Sequence, residues 1–336
     1  MTSIFDLLDN MEQFMEEYLS IFKSLPKSSF VIERRKKLMT DYITKALLNE
    51  AKDRQCCVQP YLNKAVSYLL TYHDETKCCD GGKCMNAYKH HHLCVAMKVA
   101  FKLKLADNET FAKLLLSMYQ CQNTFEGLYM GIFFRDTAPF FWHTDWDSQF
   151  ENYQALMYFS LRANKCGLKF GSDPHQRNFM DVPLKCFSCS PLKLAAQLNQ
   201  PHQLLIILRY GGTVYNGYDK EDAAERIVRK LIIQQSRGGN YLLRTLRCLR
   251  YLLRAVVSLK MENIYKIDEN AKESCLKLME RGILPANRIG INPPQLKHLA
   301  RCAVRKSMIE HGMVPHGIAK LEIPEMLKQY VDLIRD

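Results

Sequence analysis

What the 336-residue chain lacks narrows its function first. No apolar run approaches the roughly eighteen consecutive residues that a helix needs to cross a bilayer, so no membrane association is expected. No secretory or transit signal opens the sequence: Asp6, Asp9, Glu12, Glu16 and Glu17 spoil the basic-then-apolar pattern such signals require. A glycine-rich phosphate loop, a dinucleotide-binding glycine pattern, a nucleophile elbow and a kinase signature are all missing. The expectation is a protein that performs no chemistry of its own and carries no cofactor. Strand-type alternation is scarce too. His143-Thr144-Asp145, with His202 and Arg209 behind it, has the spacing of an iron facial triad. The barrel that supports such a triad needs many alternating strands, and three-and-four periodicity prevails instead.

Acidic charge is also in short supply. Lys and Arg number 47 against 35 Asp and Glu. A positive surplus suits nucleic acid, an acidic membrane face or an acidic protein segment, but here it is spread along the chain and singles out none of them. Apolar residues at 47% and charged residues at 24% are ordinary globular values. The length fits two or three domains. Thirteen Cys, an odd number without a secretory signal, imply reduced thiols in the cytoplasm, or also in the nucleus.

Residues 1–122 read as an N-terminal helical region. Ile4, Leu7, Leu8, Met11, Phe14, Met15, Leu19 and Phe22 make an apolar stripe that ends near Pro26. Further helices are expected over 31–53, after Pro60, over 93–105 and over 109–119. Within 72–94, Cys79, Cys84, His90 and Cys94 are a candidate zinc-ligand set around Gly81 and Gly82. Cys78, His73, His91 and His92 supply further donors, so the assignment is not unique. A polar loop with incidental thiols accounts for the same residues. Residues 125–146 are crowded with aromatics and read as a loop that either contacts a partner or packs under the helices.

Residues 123–290 carry a repeat signal, clearest over 190–216. Ser190-Pro191-Leu192 suits an opening turn with proline at the first helical position. Leu194, Ala195 and Ala196 supply an inner face, Gln203 to Leu208 a second helix, and Gly211 its left-handed cap. This stretch resembles an ankyrin repeat, with Lys193 in place of the usual His and Pro201-His202 where Gly-His is common. One such repeat cannot bury its own faces, so worn neighbours are expected at Ala155 to Gly167 and at Cys275 to Gly282. Arg226, Arg229, Arg244, Arg247, Arg250 and Arg254 line a stretch that breaks near Ser236 to Gly239. That basic face is either simply solvated or able to receive an acidic degron or a phosphate backbone; nucleic acid is the weaker expectation because no exposed aromatics interleave.

The last unit, 291–336, places Leu296, Leu299, Ala300, Ala303, Val304 and Met308 on one helical face and Lys297, Arg301, Arg305 and Lys306 on the other. It is too short to bury a core of its own. Its opening spacing, Leu296, Ala300 and Val304, and its closing run, Leu321, Ile323 and Pro324 followed by Leu327 and Tyr330, resemble the SOCS box. Ala300 stands where that family has Cys, and Glu322 replaces its first Pro. The resemblance implies Elongin B and Elongin C binding through Leu296, Leu299, Ala300 and Val304. It also implies a cullin scaffold with its RING protein met by Leu321, Ile323 and Pro324, and a core closed by Leu327 and Tyr330.

Ankyrin-type repeats ahead of such a box resemble the ankyrin-repeat and SOCS-box family. The fold class expected is all-α: a degenerate ankyrin-type helical repeat array with a C-terminal three-helix SOCS box. The function implied is a substrate-recognition adaptor of an Elongin B/C–cullin–RING ubiquitin ligase, for a protein target that the sequence does not identify. The rival is a non-catalytic helical scaffold whose C-terminal helices only cap the solenoid.

Overall fold

The computed structural model describes residues 13, 29–77, 79–80, 83–84, 91–134, 146–238, 241–265 and 271–336. The stripe expected over 3–25, Cys78, His90, and the His143 and Asp145 pair lie outside these. Chain contacts divide the molecule into two compact units, Met1–Gly127 with Asp136–Ser148, and Leu128–Arg135 with Gln149–Asp336.

The first unit is built from α1 (Ser29–Asp53), α2 (Gln59–Thr76), α3 (His91–Lys102) and α4 (Asn108–Gln122). Between α2 and α3 runs a hairpin of two-residue strands, β1 (Cys79–Asp80) and β2 (Lys83–Cys84), in which Cys79 and Cys84 are register partners. These are the only strands among the described residues. Helix α3 is buried from His92 to Phe101 because α1, α2 and α4 all pack against it. The core there joins Leu62, Val66 and Leu69 of α2 to Val95 and Val99 of α3 and to Phe111, Leu114 and Leu115 of α4. Pro60 sits in the first turn of α2, where its missing N–H costs nothing. Asp107 caps α4 by accepting from the Thr110 amide at 2.7 Å.

The second unit is a run of helical pairs. Residues Leu128 to Phe133 of α5 (Glu126–Phe134) are buried, so this first part of the aromatic run packs as a helix rather than standing out as a loop, while residues 135–145 lie outside the described residues. It is tied to α6 (Gln149–Lys165): Asn152 Nδ2 donates to the Leu128 carbonyl, and Gln149 Nε2 to that of Ile132. Next come α7 (Pro191–Gln197) and α8 (Pro201–Arg209), each opened by its proline as expected. Two more pairs follow, α9 (Ala223–Ser236) with α10 (Leu243–Ala255), and α11 (Met261–Tyr265) with α12 (Ala271–Glu280). Helix α7 packs on α9 and α8 on α10, while α9 in turn meets α11 and α12. This stacking of like helices is what a repeat array requires.

Polar braces hold the stack in register. Asp219 accepts from both the amide and the hydroxyl of Ser190, at 3.1 and 2.6 Å, while Ser190 Oγ accepts from the Lys193 amide. Lys230 reaches from α9 to the carbonyls of Ala196 and Gln197 and to Asn199 Oδ1, closing the C-terminus of α7. Asp181 takes the amide and hydroxyl of Thr213, and burial pushes its pKa up to about 7. These contacts brace the repeats even though Lys193 stands where the ankyrin pattern has His. Gly211 takes φ +102°, the left-handed backbone expected of it.

Candidate docking surface on the C-terminal box

The C-terminal segment opens on Pro293-Pro294 and forms α13 (Leu296–Glu310), a short 3-10 turn at Ile318–Lys320, and α14 (Glu325–Val331). Its small core is Met308, Val314, Ile318 and Val331, against which Ile309, Met313, Leu321 and Ile323 are partly buried. Four buried side chains cannot sustain a fold on their own, so the box leans on the repeat array.

The lean is made by the polar face of α13. His298, Arg301, Arg305 and Met308, spaced on one side, are buried, with Arg301 only 2% exposed and Arg305 4%. Burying a guanidinium is costly unless its donors are satisfied. Arg305 Nη2 donates to the Leu208 carbonyl of α8 at 2.6 Å and Nη1 to that of Val331 at 3.1 Å. Burial lowers its pKa to about 10, with the Asp332 carboxylate opposing, so it keeps its charge at neutral pH. Arg209 of α8 holds Asp332 through Nε at 3.0 Å and through Nη2. Arg254 of α10 donates to the carbonyls of Leu333 and Ile334 and to the Asp336 carboxylate.

His298 is fixed as one tautomer. Its Nε2 lies 2.8 Å from the Val256 carbonyl, which can only accept, and its Nδ1 lies 2.9 Å from Arg301 Nη2, which can only donate. The ring is therefore neutral with its proton on Nε2, and burial lowers its pKa to about 4. Arg301 in turn stacks over Tyr330, its guanidinium carbon 4.1 Å from the ring centroid, with Lys297 Nζ at 4.2 Å. A close backbone approach completes the seat. Gly312, at φ +65°, comes so near Asn164 of α6 that a Cβ would stand 2.2 Å from its carbonyl oxygen. Asn164 Nδ2 donates to the carbonyls of both Tyr210 and Val314.

With its arginines turned inward, α13 shows its apolar face to the outside. Leu296 is 81% exposed, Leu299 37% and Val304 36%, and Ala300 and Ala303 are exposed beside them. The four residues expected to meet Elongin thus share one outward stripe. The second expected group divides: Pro324 is exposed and Glu322 with it, while Leu321 and Ile323 pack partly against the box core. Tyr330 is buried and Leu327 half-buried. Sequence reasoning placed Arg301 and Arg305 on the face opposite the apolar stripe, without saying which face turns inward, and passed over His298, Asp332 and Asp336. The acids among the final five residues of a basic chain, facing Arg209 and Arg254, were the available signal.

The zinc candidates fall largely outside the described side chains. Cys79 and Cys84 face each other in register across the hairpin, Cys94 is buried on α3, and His90 is outside the described residues. Among the described residues no group of three or more His, Cys, Asp or Glu stands close enough to hold a metal ion. Also among them, no helix is long and apolar enough to cross a membrane.

Residues 292–332 match the family model for the SOCS box. The C-terminal unit is a SOCS box. The chain is also similar to ankyrin repeat and SOCS box protein 17 from the dog, 27% identical over 166 residues. That alignment covers 47% of this chain and 54% of the relative, so the chain spans about half of the protein it matches. No solved structure matches the chain. The chain thus carries a SOCS box and is similar, over about half its length, to an ankyrin-repeat and SOCS-box protein.

Proposed function

We propose that this protein is a substrate-recognition adaptor of an Elongin B/C–cullin–RING ubiquitin ligase. The observation that carries the reading is the inverted helix α13: buried arginines anchor it, and Leu296, Leu299, Ala300 and Val304 remain outside as an apolar stripe. An apolar stripe at three-and-four spacing is the form in which a helix enters a partner's groove. Leu296 is the knob entering a pocket of Elongin C, and Leu299, Ala300 and Val304 complete the seam. The small Ala300 lets the helices approach where the family has Cys. Pro324, with Leu321 and Ile323 behind it, presents the turn that meets the cullin. The repeat array holds the protein target. Ubiquitin transfer is then promoted by proximity, because a tethered target lysine experiences a high effective concentration of the charged conjugating enzyme. The adaptor contributes no reacting group.

The rival is a solenoid cap. Terminal caps need a polar outer face to stay soluble, and α13 presents the opposite, which weighs against that reading. Co-purification separates the two. Wild-type chain should bring down Elongins B and C, and the double variant Leu296→Glu/Ala300→Glu should not. Both side chains are exposed, so the double variant should stay folded; Elongin binding that survived it would remove the proposal.

A further inference from the structure

Between the array and the box lies a pocket of about 370 Å³. Four arginines line it, Arg250 and Arg254 of α10, Arg301 of α13, and Arg288 from the segment between α12 and α13, and Asp336 is the one acid among the lining residues. That acid is already engaged: its carboxylate takes Arg254 Nη2 at 2.9 Å and stands 3.6 Å from Arg301 Nη1. Among the described residues neither Arg288 nor Arg250 makes an ion pair of its own, although the Asp336 charge is felt at Arg288. Among the described residues, Arg288 Nη1, Arg254 Nε and Arg301 Nε are buried without a hydrogen-bond acceptor. Buried donors without acceptors are rare in folded proteins and call for an explanation at each site. Burial, and after it the neighbouring Arg301 charge, pull the Arg288 pKa down. Leu246, Leu249 and Ile283 supply apolar wall beside the charge.

We propose that this pocket binds the phosphate of a phosphorylated segment of the target polypeptide, which makes phosphorylation the mark the adaptor reads. The inference rests on the adaptor reading above. Guanidinium forks match phosphate oxygens bidentately, and a surplus of three positive charges suits a dianion better than a single carboxylate. Room beyond the phosphate, and the leucines beside it, accept the flanking side chains of a peptide.

The test uses the full chain and two degenerate peptide libraries, one carrying phosphoserine and one carrying serine at the same position. Binding is measured by fluorescence anisotropy, with inorganic phosphate and poly-uridylate RNA as competitors. The phosphorylated library should bind at least tenfold more tightly, and inorganic phosphate should displace it. Arg288→Gln should cost at least tenfold and Arg250→Gln somewhat less, while Arg244→Gln, an exposed arginine on α10 outside the pocket lining, should leave binding unchanged. Equal binding of the two libraries would overturn the proposal. So would an Arg288→Gln chain that binds as wild type, or displacement by RNA but not by phosphate. Elongin B/C co-purification is read on the same variants. If it persists while phosphopeptide binding is absent, the pocket assignment alone fails. If phosphopeptides bind but Elongins do not, the adaptor reading fails and the pocket is a phosphopeptide site of a different kind of protein.

Discussion

Helices α8 and α13 solve opposite problems. Helix α8 turns Leu204, Ile207 and Leu208 inward and leaves Gln203 and Arg209 partly outside, as any helix of an array does. Helix α13 turns His298, Arg301 and Arg305 inward and leaves its leucines outside. The first arrangement is held by burial of apolar area, roughly 25 cal/mol per Å². The second gains little of that and is held by charge-assisted hydrogen bonds to carbonyls that would otherwise lack donors. A helix kept in place by its polar side has its apolar side to spare. The two helices should therefore respond in opposite ways to the same kinds of substitution.

Substitutions that break the seat of α13 should have the largest effect. Arg305→Ala removes donors from the Leu208 and Val331 carbonyls and leaves a void, and the expected loss is about 3 kcal/mol or more. Urea denaturation of the full chain measures it. Leu204→Ala in α8 should cost a similar amount, about 2–5 kcal/mol, through the cavity it opens in a fully buried site. Gly312→Ala should cost about 1–3 kcal/mol, because its backbone is left-handed and its Cβ would meet Asn164. By contrast Leu296→Ala, the same chemistry as Leu204→Ala but on the exposed stripe, should change stability by less than about 0.5 kcal/mol. A large loss there would mean that the stripe is buried by the chain itself, and the contrast between the helices would collapse.

The polar seat should also titrate. His298 has a folded pKa of about 4 and an unfolded one near about 6.5, so between those values the unfolded state binds the extra proton. Stability from this group is present above about pH 6.5 and is lost as the pH falls toward 4. Asp181 and Asp222 act in the other direction: burial raises their pKa values to about 7 and about 6, so the folded state holds protons there that the unfolded state gives up. The His298 contribution is isolated by comparing wild type with His298→Gln at pH 7.5 and pH 5. The gap between their urea midpoints should narrow at the lower pH. A gap that widened would contradict a buried neutral ring.

Much of the array was legible because its signals are local. Pro191 and Pro201 open helices, Gly211 and Gly282 take positive φ after them, and the break after Ser236 separates α9 from α10. Helix α5 was not legible, since FEGLYMGIFF is apolar all round and a helix buried on every side has no period to detect. Within the box, the stripe of Leu296, Leu299, Ala300 and Val304 was readable from spacing, but its direction was not. Periodicity sorts residues onto two faces and is silent on which face meets water. Here the deciding facts are long-range: Arg305 reaches Leu208 across 97 residues, and His298 reaches Val256 across 42. The braces Ser190–Asp219 and Lys230–Ala196 escaped for the same reason.

The central claim is that the two faces of α13 have separate duties, one holding the chain together and the other holding a partner. Calorimetric titration of Elongin B/C into full-length wild type, Leu296→Glu and Arg305→Ala, each also unfolded in urea, tests it most directly. The account predicts that Leu296→Glu loses at least a hundredfold in affinity with its urea midpoint unchanged, and that Arg305→Ala shows a lowered midpoint. Undiminished affinity in Leu296→Glu, or a midpoint lowered as far as that of Arg305→Ala, would contradict it.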